Sequence, residues 1–237
     1  MTTKTLNISE EQLVDYSKAH NEPSWMTELR KKALKLTETL EMPKPDKTKL
    51  RKWDFDTFKQ HHTTGDAYTQ LTDLPKSVKE IIDVENSENL IIQHNNELAY
   101  TQVSDQAKHD GVIIEGLSEA LVNHSDLVQK YFMTKAVDVD EHRLTALHTA
   151  LVNGGIFVYV PKNTVVEHPI QYVVLHDDEQ ASFYNHVIIV TEESAEVTYV
   201  ENYLSTTSGE DNQLNIVSEV IAGANSNVTY CLLYTSP

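Results

Sequence analysis

Cysteine is almost missing from this chain of 237 residues, glycine and proline number only seven each, and 19 basic residues face 36 acidic ones. The single cysteine, Cys231, excludes an intramolecular disulfide and fits a reducing compartment. It also excludes a metal cluster held by this chain's thiolates alone, since such clusters generally take about four. The shortage of positive charge leaves a net charge of -17, which opposes polyanions, so neither nucleic acid nor an anionic membrane surface is an expected partner. Long apolar runs are missing too: nothing approaches the roughly 20 residues that span a bilayer, and Met1 to Ile8 lacks the apolar centre of a secretory signal. The expectation is a cytoplasmic protein with enough length for one large domain or two smaller ones. The sequons at Asn7, Asn123 and Asn227 are then chance matches.

The first part of the chain reads mainly as helix. Ser9-Glu-Glu-Gln12 fits a capping box that opens a helix to about His20. Pro23-Ser24 opens a second, with Trp25, Leu29, Ala33, Leu36 and Leu40 on its core face and Arg30, Lys31, Lys32 and Lys35 mostly off it, ended by Met42-Pro-Lys-Pro45. Thr48 to Phe58 carries Trp53, Phe55 and Phe58 among charges, and Gln60 to Gln70 reads as a polar loop. Leu90 to Val103 predicts a hairpin turning at Asn95-Asn96, because asparagine tolerates the left-handed conformation of a tight turn. Gly111 to Glu115 predicts a strand and Leu117 to Phe132 a helix. Asp140 is the expected cap of a helix from Glu141 to Val152, with Leu144, Leu147 and Leu151 buried and Gly154-Gly155 stopping it.

From there the pattern changes, dividing the chain into a mainly helical region, 1-152, and a strand-rich one, 153-237. Strands are predicted at Ile156 to Val160, Ile170 to Leu175, Ser182 to Thr191, Ala195 to Tyr203, Leu214 to Ile221 and Asn227 to Leu233, with a turn at Pro161-Lys-Asn. No helix-length pattern interrupts them, so a doubly wound fold with helical crossovers is excluded, while sandwich, barrel and solenoid all remain. Val197-Thr-Tyr-Val200 and Val228-Thr-Tyr230 are similar small units, but the turn residues do not repeat strictly enough to establish a solenoid.

The stretches Arg143 through Gln171 and His186 through Tyr203, with Trp25 to Arg30 and Lys52-Trp53, resemble the SufB/SufD family of iron-sulfur cluster assembly proteins. The resemblance implies an α+β fold: an N-terminal helical region with a small β-hairpin, followed by a partial right-handed parallel β-helix. It implies a non-catalytic scaffold subunit whose full-length relatives pair with a SufB-like paralogue and the ATPase SufC. The iron-sulfur cluster would be cargo of that complex, with no cofactor bound by this chain alone. Cys231 to Pro237 departs from the family's continuation, so the chain reads as a fragment whose SufC-docking helices and functional residues lie elsewhere, and homo-oligomers are expected through its last strands. The rival readings are a carbohydrate-active β-helix enzyme and a generic β-rich interaction module.

No catalytic residue and no metal ligand is assigned, and cofactor-binding residues are unknown. His61-His62 falls in the polar loop. His168, His176 and His186 occupy successive strand or turn regions and read as solvated turn histidines rather than a metal site. Asp177-Asp178-Glu179 reads as a solvated charged turn rather than a calcium site or an acid-base pair. Lys162 lacks a phosphate-cradling loop around it, and Cys231 reads as a small apolar residue.

Overall fold

A computed structural model describes residues 6-50, 53-55, 57-59, 67-82, 87-178, 181-205 and 213-235. Helix α1 (Glu10–Ala19) starts where the sequence places it: the Gln12 amide donates to the Ser9 hydroxyl, and the Ser9 amide donates to the Gln12 side chain. Helix α2 (Ser24–Thr39) follows Pro23, but its most buried face is Met26, Arg30, Ala33 and Thr37, while Trp25, Leu29 and Leu36 are only partly buried. The expected stripe is thus rotated, and a cation sits in it, because Glu22 and two backbone carbonyls are waiting for Arg30.

After α3 (Lys76–Lys79) come β1 (Asn89–His94) and β2 (Glu97–Gln102), an antiparallel hairpin turning through Asn95 at φ 55°. Next are α4 (Asp105–His109) and β3 (Ile113–Gly116). The single helix expected over Leu117 to Phe132 is two, α5 (Leu117–Asn123) and α6 (Ser125–Tyr131), broken at His124, which lies outside helical geometry. Helix α7 (Arg143–Leu151) is capped by His142 instead of Asp140: the Thr145 amide donates to His142 Nδ1, and the Thr145 hydroxyl serves the His142 amide as acceptor. Everything from Thr145 to Leu151 is buried, so this helix has no solvent face along most of its length.

The strand series is β4 (Gly154–Val160), β5 (Ile170–His176), β6 (Ser182–Thr191), β7 (Glu196–Ser205), β8 (Gln213–Ala222) and β9 (Asn227–Thr235). Successive strands alternate between two sheets. One has the order β2-β1-β5-β7-β9 and the other β3-β4-β6-β8. Apart from the antiparallel pairs β1–β2 and β3–β4, neighbours are parallel, and from β4 onward they reach one another through a strand of the opposite sheet rather than through helical crossovers. The result is a mixed α+β architecture with N-terminal helices and parallel-rich sheets.

The turns reveal the periodicity that side chains hide. Asn163, Ser194 and Asn225 all adopt positive φ, at 60°, 59° and 56°, and adjacent turns are hydrogen-bonded: the Asn163 amide donates to the Glu193 carbonyl and the Ser194 amide to the Ala224 carbonyl. The paired small units of the sequence lie in register, Val197 on Val228, Thr198 on Thr229 and Tyr199 on Tyr230.

Between the sheets lies a core that includes Ile91, Val158, Tyr172, Val187, Val197 and Tyr199. Outside the four-stranded sheet, Phe157, Ile188 and Val190 pack against Met26, Leu117 and Phe132. Outside the five-stranded sheet, Leu90, Ile92, Val173 and Leu175 pack against Leu74, Val78 and Ile82. β1, β5 and β6 are therefore buried on both faces along their whole length, whereas β7 is only partly covered on one face. Among the described residues, no helix is long and apolar enough to cross a membrane.

Candidate functional site

The glycine pair does not stop α7. Val152 ends that helix by leaving helical geometry, and Gly154 and Gly155 are the first residues of β4. The Gly155 amide donates to Gln93 Oε1, which also accepts from the Tyr172 hydroxyl at 2.6 Å, and Gln93 Nε2 donates to the Asn95 carbonyl and to Asn185 Oδ1. Asn185 Nδ2 in turn donates to the Tyr203 hydroxyl at 2.8 Å. A buried polar chain thus crosses the space between the sheets, linking β1, β4, β5, β6 and β7. Further along, the Tyr199 hydroxyl donates to Glu201 Oε2 at 2.7 Å. Burial pushes the Tyr172, Tyr199 and Tyr203 phenols up and the Glu201 carboxyl up as well. These phenols stay protonated near neutrality and act as hydrogen-bonding groups that fix strand register.

Two cavities open beside this network. One, of about 590 Å³, lies among α1, the hairpin turn and the end of α7, with Tyr16, His20, Asn96, Glu97 and Asn153 in its wall. The other, of about 280 Å³, shares Tyr16, His20, Asn96 and Glu97 and reaches Gly154, Gly155 and Tyr172. In the wall of the larger cavity Arg30 stands over the Tyr16 ring at 5.0 Å, with its charge engaged by Glu22 at 2.6 Å.

The residues singled out in the sequence are not brought together. His61 and His62 lie outside the described residues. His168 is on the surface, its Nδ1 3.5 Å from Glu88 Oε2. His176 and His186 are not solvated turn histidines: both are strand residues covered by other elements. His176 Nε2 donates to the Asp178 carbonyl and its ring packs on Phe183 at 3.9 Å, and burial lowers its pKa despite that carbonyl. His186 lies beneath the helices against Glu219 and His148.

The acidic turn also differs from the solvated one expected. Asp178 is buried, and Asp177 accepts from the Asn95 side chain at 2.9 Å and lies 2.8 Å from His94 Nε2, tying β5 to the hairpin turn. Burial works to raise the Asp177 carboxyl, but the hydrogen bonds from His94 and Asn95 outweigh it and hold it low. Glu179 lies outside the described residues. Lys162 is half-exposed and pairs with Glu193 across adjacent turns at 2.7 Å, and Cys231 is a half-buried free thiol on β9. Among the described residues, no group of three or more histidine, cysteine or acidic side chains is placed to hold a metal ion.

The strand edges are the remaining surface. β8 and β9 close the two sheets on the same side and expose Leu214, Val220, Leu232 and Leu233.

Known proteins resemble the chain along most of its length. A family model described as the SufBD protein N-terminal region matches residues 10–172. A second, the SUF system FeS cluster assembly SufBD core domain, matches residues 173–236. The chain is 48% identical over 226 residues to the iron-sulfur cluster assembly protein SufD of Bacillus subtilis, covering 95% of this chain and 52% of that protein. It is 26% identical to a SufBD family protein of Staphylococcus epidermidis, over 94% of this chain and 50% of the relative. One from Staphylococcus aureus matches at the same identity and coverage. The chain spans about half the length of the curated relatives it matches. With the two models adjoining at residue 172, and the first alone covering more than half of the sequence, the chain belongs to the SufBD family.

Proposed function

We propose that the chain serves as a non-catalytic scaffold subunit in iron-sulfur cluster assembly, in the role of SufD. The observation that carries this reading is the 48% identity to SufD, sustained over 95% of the chain rather than confined to one motif. The geometry supports it: buried polar groups such as Gln93, Tyr172, Asn185 and Tyr203 are spent on holding strand register. In this reading the alternating sheets are part of a right-handed parallel β-helix, supported by the parallel pairing and the stacked turns at Asn163, Ser194 and Asn225. The division at 152/153 is a change of architecture within one packed body, since β1 and β3 before it pair with β5 and β4 after it.

The partners of this reading are a SufB-like paralogue and, for the full-length family, the ATPase SufC, in the cytoplasm and without nucleic acid or membrane. The cluster is cargo. Neither a carbohydrate-active enzyme nor a generic interaction module draws support from the comparisons. Co-expression with the SufB-like paralogue tests the reading: the two should co-elute in size-exclusion chromatography, and separate elution at micromolar concentration would contradict it. In anaerobic reconstitution the isolated chain should retain no stoichiometric cluster after desalting. A cluster that survives, and is lost in Cys231→Ser, would show that this chain is itself a cluster carrier.

A further inference from the structure

Beneath α7, at the centre of the helix-facing side of the four-stranded sheet, lies a polar chain that the scaffold reading does not use. His148 of α7, His186 of β6 and Glu219 of β8 are all fully buried. Glu219 Oε2 accepts from the Met133 amide at 2.8 Å and faces His186 Nε2 at 3.0 Å, and Glu219 Oε1 accepts from the Val137 amide at 3.2 Å. His186 Nδ1 faces His148 Nε2 at 2.9 Å, and His148 Nδ1 faces Asn215 Oδ1 of β8 at 2.9 Å. Phe132 covers the His186 ring at 4.5 Å.

The partners fix the proton positions. Glu219 is surrounded by donors, so His186 Nε2 carries a hydrogen toward it, and because burial holds that ring neutral its Nδ1 is an acceptor. His148 Nε2 must then donate. The last position, His148 Nδ1, has two solutions. In a neutral ring it is an acceptor and needs the Asn215 amide nitrogen. In an imidazolium it is a donor and needs the Asn215 oxygen. The two ends of an asparagine amide interchange by a half turn with almost no change of shape. Every link stays hydrogen-bonded in both states.

We propose that His148, His186, Glu219 and Asn215 form a buried one-proton site, a pH-sensitive device in which uptake of a proton at His148 Nδ1 turns the Asn215 amide over on edge strand β8. The proton comes from solvent, and its charge is set against Glu219 through His186. Among the described residues, the other charged groups around the site are few. Arg30 of α2 approaches His148 from the end of α7 but is paired with Glu22, Tyr184 packs beside His148, and Lys135 and Asp138 on the covering segment are exposed.

The direction of the pH response follows from burial. Desolvation lowers the His148 pKa well below the ordinary histidine value, with His186 and Arg30 adding to it, and desolvation lowers His186 although Glu219 pulls it back up. Unfolded histidines titrate near pH 6.5 and so take up protons first. The stability these two rings contribute is therefore complete above about pH 6.5 and is lost as pH falls through their folded values.

Imidazole nitrogen NMR with a pH titration of the wild-type chain tests the site. At pH 7.5 both rings should be neutral with hydrogen on Nε2. On acidification His148 should gain its Nδ1 hydrogen with the same midpoint as a shift of the Asn215 side-chain amide signals. Asn215→Asp, which offers only an acceptor and adds a negative charge, should raise the His148 midpoint by about one pH unit or more. A neutral His148 with hydrogen on Nδ1, or an Asn215 amide that does not respond when His148 titrates, would overturn the proposal, and both are read on the wild type even if the variant does not fold.

Discussion

Gly155→Ala should leave little folded protein at 37 °C, the largest loss expected from any one-methyl change in this chain. Gly155 has φ 142°, where side-chain-bearing residues are strained, and a Cβ placed there would lie 2.0 Å from the His186 carbonyl oxygen and 2.8 Å from its carbonyl carbon. Those atoms belong to the neighbouring strand, in register with Gly155, so relief requires moving β6 backbone at the centre of the sheet. Strain and overpacking together should cost about 4 kcal/mol or more, a large part of the ~5–15 kcal/mol by which domains are stable. Gly154→Ala is the informative control. Its Cβ would meet the Gln93 side-chain nitrogen at 2.5 Å, a group that can move at the expense of its hydrogen bonds, about 1–3 kcal/mol. Urea denaturation should rank Gly155→Ala well below Gly154→Ala, and equal midpoints would show that the close approach of β4 to β6 is not a stability determinant.

Arg30→Met is expected to cost about 3–5 kcal/mol, because it strands a buried carboxylate and two helix-end carbonyls together. Arg30 donates to Glu22 through Nε at 2.8 Å and Nη2 at 2.6 Å, and to the carbonyls of Ala150 and Val152 at 2.9 and 2.8 Å. It thereby closes the C-terminus of α7, where backbone acceptors otherwise lack partners. Burial alone would push the Glu22 carboxyl up, but the charge and hydrogen bonds of Arg30 hold it below the ordinary carboxylate value. The stability that this shift contributes is present above that ordinary value and is lost as pH falls through the folded one. Arg30→Met should therefore lower the melting temperature most near neutral pH and much less in acid. Adding Glu22→Leu should recover part of the loss by removing the stranded charge, while Ala150 and Val152 remain uncapped. A single variant as stable as the parent would mean that Glu22 finds water or another donor.

Much of the fold was legible in local chemistry. Ser9 and Gln12 mark the start of α1, Asn95 the hairpin turn, and the β-branched runs six strands nearly to the residue. What was not legible depends on partners far away in sequence. Arg30 reads as a surface cation until Glu22 and the end of α7 are placed around it, and Gly154-Gly155 reads as a helix stop until β6 is laid against it. His176 and His186 read as solvated because strand periodicity tells which face a residue occupies, but not that both faces are covered. The stacking of turns was hidden for a related reason. What repeats at Asn163, Ser194 and Asn225 is a backbone conformation that asparagine and serine both meet here, so the letters differ where the geometry is the same. Only Val197-Thr-Tyr and Val228-Thr-Tyr showed the repeat in side chains. The polar chain through Gln93, Tyr172, Asn185 and Tyr203 left no signal, since its members come from separate strands and are recognisable only once register is known.

The proposed role in building iron-sulfur clusters is tested best by cluster content in cells that lack this chain. Disrupting its gene and assaying a labile iron-sulfur dehydratase, with the amount of dehydratase protein measured in parallel, separates loss of cluster from loss of enzyme. Dehydratase activity should fall severalfold at unchanged protein level, and return when iron and sulfide are supplied to the extract anaerobically and when the gene is returned. Full dehydratase activity in the disrupted strain during growth under iron limitation would contradict it.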